Sequence, residues 1–247
     1  IVYNPSGPNY QGVAVAAFGG VGAVNVTNSM FSNIGRTGVL YFGAGTTGLF
    51  EGNMYVGKGA GDWLDYAVEV GAGAVATIRG NDISNNLGIA SVDGSISAGI
   101  LVTTFFGAGS TAIIEDNTLT NNHTGIAVGF DATDTSTITL VGTNTITDGT
   151  TGISIDGAGV TLTGNSFGTT AFAGQSGNYI ELGSGAFNGQ ILDASTATFE
   201  GMAGAAYNTK PLGFQLEDKI YHLVDEPGLG IVGWHAGNIY ITQAAET

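Results

Sequence analysis

The stretch 57–70, GKGAGDWLDYAVEV, sets Lys58 beside Asp62, Asp65 and Glu69. A carboxylate close to a lysine can give or take a proton, and several together can hold a sugar or a metal ion. With Arg79 further along, Lys58, Asp62, Asp65 and Glu69 are the residues a polysaccharide-active enzyme would use if this chain were one. The simpler reading of the same stretch, and the preferred one, is a solvated loop anchored by Trp63. In DATDT, Asp131 and Asp134 are the candidates for calcium, through carboxylates and carbonyls. They lack the GGxGxDx repeat of calcium-binding β-rolls. His123, His222 and His235 share no ligand spacing, and the absence of cysteine removes thiolate metal sites and disulfides. The expectation is therefore no catalytic set, with calcium the sole candidate cofactor.

Composition narrows the partners. The 247 residues carry 20 acidic side chains against 5 Lys and Arg, a formal net charge of −15. Arg36, Lys58, Arg79, Lys210 and Lys219 are too few and too scattered to track a phosphate backbone, so nucleic acid and anionic membrane surfaces are poor partners. No apolar run reaches the roughly 18 residues that a membrane-spanning helix needs. With 43% hydrophobic residues the chain can bury a large core, and its 43 Gly follow no collagen-like period. The first residue is Ile1 rather than Met, which is expected of a processed or trimmed N-terminus.

What positions these residues is a repeat. The pattern apolar-x-x-Asn-x-apolar fits Phe50–Asn53–Tyr55, Ile78–Asn81–Ile83, Ile114–Asn117–Leu119, Val141–Asn144–Ile146 and Leu162–Asn165–Phe167, and Val26–Ser29–Phe31 with Ser in place of Asn. Alternating apolar pairs follow at Val39/Tyr41, Val68/Val70, Ile100/Val102, Ile126/Val128, Ile153/Ile155 and Ile180/Leu182, with Val13/Val15 as an earlier copy. Their first members are 26, 29, 32, 26, 27 and 27 residues apart. Each copy reads as two or three short strands joined by Gly, Asn and Asp turns, with almost no helix. One copy is one coil of a three-faced solenoid, seven to nine coils in all, stacked about 4.8 Å apart. Asn53, Asn81, Asn117, Asn144 and Asn165 then form an amide ladder at one turn.

The motifs IRGNDISNN, IIEDNTLTNNHTGI and LTGNSF resemble the right-handed parallel β-helix of the pectin-lyase-like superfamily, over residues 12–185. The resemblance implies an all-β coil. It leaves open whether the chain is a polysaccharide lyase, hydrolase or epimerase, a tailspike or an adhesin, because fold alone does not choose among them. Enzymes of that superfamily work on the outer face of the strand carrying Val39 to Ile180. On that face the outward column here reads Ala14, Leu40, Glu69, Leu101, Ala127, Ser154 and Glu181, and the next reads Ala16, Phe42, Gly71, Thr103, Gly129, Asp156 and Gly183. No facing carboxylate pair and no acidic triplet beside a base stands out in these columns.

The resulting expectation is a parallel β-helix over 1–198 and a C-terminal cap of irregular coils over 199–247, whose GFQLEDKIYHLVD and GIVGWHAGNIYIT read as strands. Leu40, Phe42 and Leu101 would either lie under the loops 57–65 and 103–110 or form an interface. The expected role is a non-catalytic bacterial surface or extracellular solenoid, structural or adhesive, that associates with itself, with adjoining domains or with carbohydrate. Open solenoid ends favour stacking into a filament or layer. The alternative is a polysaccharide-active enzyme of the same superfamily.

Overall fold

The structure, a computed structural model of the chain, describes residues 11–20, 22–105, 107–163 and 166–238. Residues 1–10, Asn165 of the expected ladder, and Tyr240 lie outside the described residues. Each coil contributes a strand to each of three sheets. The first has eight parallel strands: Val13–Phe18, Thr37–Phe42, Tyr66–Gly71, Ala98–Thr103, Thr124–Val128, Thr151–Asp156, Ile180–Gly183 and Ile220–Tyr221. The second runs from Gly22–Thr27 to Thr161–Leu162 and the third from Met30–Ser32 to Thr198–Phe199, again in parallel register. The third sheet ends in an antiparallel strand, Met202–Ala203.

Register turns the repeat into a core. Val39, Val68, Ile100, Ile126, Ile153 and Ile180 pair one above the next, and Ile220 extends the row. Each of the first six is 0% exposed. Val13 does not join them. It pairs with Thr37 and is 42% exposed, while Val15 pairs with Val39. The first pair of the repeat is therefore Val15/Ala17, and the outward columns begin at Ala16 and Phe18 rather than Ala14 and Ala16. Alternation alone could not decide this, because a two-residue shift keeps the same face and Val13, Val15 and Ala17 on that face are all apolar.

Two further slips have local causes. In the coil carrying Asn144, Leu140 takes the inward place beneath Ile114, while Val141 pairs with Glu115 and is 38% exposed. One extra residue in the Gly142–Thr143 turn absorbs the offset. One coil on, Phe172 and not Phe167 stacks on Ile146, although Phe167 is also fully buried.

The C-terminal segment closes the stack differently from its strand reading. Lys210–Glu217 is an α-helix, with Pro in its first turn, where the missing N–H costs nothing. Phe214 and Leu216 look like strand alternation, yet only Leu216 is buried and Phe214 is 66% exposed. Leu212 and Leu216 lie one turn apart on the helix, and Leu212 packs partly buried against the core. Beneath it an aromatic file runs Phe172–Phe199 (5.4 Å between ring centres), Phe199–Tyr207 (6.3 Å) and Tyr207–Trp234 (6.5 Å). Two strands of this segment pair back onto the solenoid, Ile220–Tyr221 on Ile180–Gly183 and Ile231–Gly233 on Ile191–Asp193. Residues 199–238 are thus fastened to the last coils.

Candidate functional site

The Asn column sits where the chain turns from the second sheet into the third. Asn53 Nδ2 donates to Asn81 Oδ1 at 3.1 Å, Asn81 Nδ2 to Asn117 Oδ1 at 2.8 Å, and Asn117 Nδ2 to Asn144 Oδ1 at 3.1 Å. The same three oxygens accept the backbone N–H of the preceding Asn, and each amide also donates to a carbonyl, such as Ile78 O for Asn117. Ser29 ends the column, its N–H donating to Asn53 Oδ1. Left-handed residues precede the ladder, among them Gly52, Gly80 and Asp116, and these bring the turn round. A shorter amide stack, Asn86 on Asn122 at 2.7 Å, follows the third sheet. The ladder satisfies buried turn groups and leaves no atom for chemistry.

The 57–70 stretch divides between two places. Asp65 is fully buried and accepts hydrogen bonds from the Tyr55 hydroxyl at 2.6 Å and the Lys58 N–H at 2.7 Å. Burial pushes its carboxyl up to about 6, with those hydrogen bonds pulling the other way. Lys58 reaches the carbonyls of Gly35 and Leu64 and stacks over Trp63 at 5.1 Å. Asp62 accepts from the N–H and hydroxyl of Ser91. These residues pin a loop. Arg79 lies on another face, 2.7 Å from Glu51 and largely exposed. The five candidate catalytic residues therefore do not converge.

The calcium candidates are likewise committed to turns. Asp131 holds the N–H and hydroxyl of Thr133. Asp134 is fully buried and accepts from Thr103, Thr104 and Ser136. Among the described residues no cluster of three or more His, Asp or Glu is placed to hold a metal.

The outer face of the first sheet carries a groove of about 610 Å³. Its floor includes Leu101 and Ala127, its polar groups Arg36, Glu69, Asp93, Thr103, Ser154 and Asp156, and its aromatic walls Tyr66, Phe105 and Phe130. Glu69 is only 4% exposed. It accepts from the Thr37 hydroxyl at 3.0 Å and sits 3.5 Å from the Arg36 guanidinium, which also lies over Tyr66 at 5.5 Å. The Phe105 and Phe130 rings lie 4.2 Å apart, tilted by 50°, while 48% and 55% exposed. Of the interface candidates, Leu40 is buried at 8% exposure and Leu101 packs on Leu64, Tyr66, Ala90 and Ala98. Phe42 packs on Phe18, itself 49% exposed. Tyr66 binds the Ile96 carbonyl, so part of the groove wall comes from a segment near 96 and not only from the loops 57–65 and 103–110.

A family described as the right handed beta helix region matches residues 12–185. The chain belongs to this family. No curated protein and no solved structure matches it. Within the β-helix, chemistry on the groove face depends on how its carboxylates are spaced. Glu69, Leu101, Ala127 and Ser154 are register neighbours, so Glu69 and the Ser154 level are three coils, about 14 Å, apart. That exceeds the roughly 5–9.5 Å between the acid and its partner in glycosidases.

One carboxylate pair of the β-helix was not singled out from sequence. Asp156 and Glu181 stand on adjacent coils, because Ser154 pairs with Glu181 and Asp156 with Gly183. Asp156 accepts from the hydroxyls of Ser154 and Ser184, and its carboxyl is raised chiefly by burial, with Glu181 adding to the effect. Glu181 accepts from Thr151 and Asn178. Burial lowers the nearby His123, whose Nδ1 has no partner, and Glu181 opposes that shift. Only the register brings these residues together, since they are separated along the chain by whole coils.

Proposed function

We propose that this β-helix is a non-catalytic, extracellular adhesive solenoid, displayed at a bacterial surface, whose groove over the first sheet holds a glycan chain. The observation that carries the reading is the groove's make-up. Exposed aromatic faces and hydrogen-bond acceptors lie along the axis, while Lys58, Asp62, Asp65 and Arg79 are tied up elsewhere. The groove floor is strand whose backbone groups already pair with coils on either side, so a peptide gains no main-chain ladder there. An extended chain with hydroxyls at intervals suits such a strip better. The rod could also stack on copies of itself or on adjoining domains, which light scattering would detect.

A second reading rests on Asp156 and Glu181. Their Cα atoms, one coil and two residues apart, are separated by about 8 Å. A raised acid opposite a second carboxylate is what an inverting hydrolase uses. Incubation of purified protein with a panel of polysaccharides separates the readings. Retention of a polysaccharide without new reducing ends supports the adhesive role. Release of product that stops in Asp156→Asn makes the chain an enzyme.

A further inference from the structure

Resting on the groove reading above, we infer that the ligand is an uncharged, hydroxyl-rich glycan and that the groove is built to reject uronic acids. Charge is the first argument. Among the described residues one cation lines the groove, Arg36, which faces Glu69 at 3.5 Å and covers Tyr66. Two further carboxylates, Asp93 and Asp156, line the same groove without a basic partner. Asp93 accepts from the Ser95 N–H, and Asp156 from the hydroxyls of Ser154 and Ser184. A ligand carboxylate would therefore enter beside two negative charges, and the cation among the described lining residues, Arg36, already faces Glu69 and keeps its unpartnered Nε buried. A chain of net charge −15 repels polyanions at longer range as well.

The second argument is the aromatic pair. Phe105 and Phe130 come from segments on neighbouring coils and meet at 4.2 Å between ring centres, tilted by 50°, yet each stays about half exposed. Apolar rings kept in water at the edge of a concave site mark a contact surface rather than core. Ring faces attract the C–H face of a pyranose, and carboxylates and hydroxyls accept and share its O–H donors. Asp156 belongs to the coil next to the one that leads into Phe130, since the strand Thr124–Val128 pairs with Thr151–Asp156. Stacking ring and acceptor thus lie side by side, as a sugar unit requires. The strip from Glu69 to the Ser154 level, about 14 Å long, favours an internal stretch of chain over a single monosaccharide.

The test is an NMR titration of the intact chain with hexasaccharides of three kinds: neutral (cello-, xylo- and manno-), anionic (oligogalacturonate, with and without calcium) and cationic (chitosan). The expected result is that a neutral hexamer shifts amides of 101–105, 127–130 and 154–156, while oligogalacturonate shifts none. Phe130→Ala is expected to weaken the neutral ligand about tenfold at an unchanged melting temperature. Asp93→Asn should raise oligogalacturonate binding while neutral binding stays within a few-fold, and adding Asp156→Asn should raise it further while weakening the neutral ligand, which loses its carboxylate acceptor. Preferred binding of oligogalacturonate or chitosan, with shifts in the groove, overturns the ligand class and leaves the groove as the recognition surface. Shifts outside the groove, or none with any hexamer, overturn the groove reading and this inference with it.

Discussion

The Asn turn and the outer face of the first sheet belong to the same coils and share the same axial repeat, yet they are built on opposite rules. At the turn, one residue type recurs through Asn53, Asn81, Asn117 and Asn144, because each amide must accept from the coil before it and donate to the coil after it. On the outer face the corresponding column reads Leu40, Glu69, Leu101, Ala127, Ser154, Glu181, with no residue repeated in adjacent coils. An outward side chain answers to solvent and to whichever loop passes over it, and although Glu69 and Glu181 each accept from a Thr of the coil before, nothing requires the residue beneath to be of the same type. In a solenoid, repetition marks what holds the rod together, and departure from repetition marks where recognition can reside.

The contrast is broken most severely at the ladder. Asn117→Ala would strip partners from Asn81 N–H and Ile78 C=O, both buried groups, besides the two neighbouring amides. At about 1–3 kcal/mol for each stranded backbone group, the expected loss is about 2–6 kcal/mol, measured by denaturant unfolding. A loss below 1 kcal/mol would mean that water replaces the amide without penalty and that the column is ornamental. Next comes the core row. Ile126→Ala is expected to cost about 2–5 kcal/mol, since Ile126 is fully enclosed between Ile100 and Ile153.

The same contrast explains what the sequence made legible. Positions bound by the repeat could be read by spacing alone: the row Val39 to Ile180, the ladder Asn, and even Ser29 standing in for an Asn. Reading failed where the period offers no check. Val13 was two residues out of register because Val13, Val15 and Ala17 repeat apolar residues along one face, which alternation cannot tell apart. Val141 and Phe167 were misplaced by altered turn lengths. The helix Lys210–Glu217 was missed because eight residues hold too little of the 3.6-residue period to outweigh an apparent alternation. The groove was not legible either. Tyr66, Phe105 and Phe130 come from different coils, and only the register sets them beside Asp156, which the outward columns had already placed on this face. Lys58, Asp62 and Asp65 stood as the catalytic alternative because they are near in sequence, and the structure gives them structural partners in a loop, as the preferred reading had a loop there.

Asp65 supplies a third, smaller effect, and one that depends on pH. Its carboxyl is lifted by burial from its ordinary 3.8 to about 6. The folded chain therefore keeps a proton that the unfolded chain releases between about pH 4 and pH 6. Stability from this group rises as pH falls through 6 and is lost as the carboxyl ionises above it, with a span of about 3 kcal/mol at most. Asp156, also raised by burial, acts in the same direction. Urea titrations at pH 4.5 and 7.5 are expected to show the chain gaining more at the lower pH than Asp65→Asn does. Equal gains in the two proteins would place the ionised carboxylate comfortably in its pocket and remove it as a source of pH dependence.

The smallest expected effect is the one that sharpens the comparison most. Phe130 lies four residues beyond Ile126 and has a bulkier side chain, but it is 55% exposed and stacks on Phe105 outside the core. If the outer face is free of structural duty, Phe130→Ala should change unfolding free energy by no more than about 0.5 kcal/mol, the usual range for a surface substitution. Ile126→Ala, in the same coil, should cost several times that. A loss of 2 kcal/mol or more at Phe130 would show that the Phe105–Phe130 stack pins the groove wall to the rod. The ring pair would then belong to the scaffold, and the exposed aromatic faces would lose their standing as a contact surface. An unchanged melt leaves the rings with no stabilising duty to account for their place on the face.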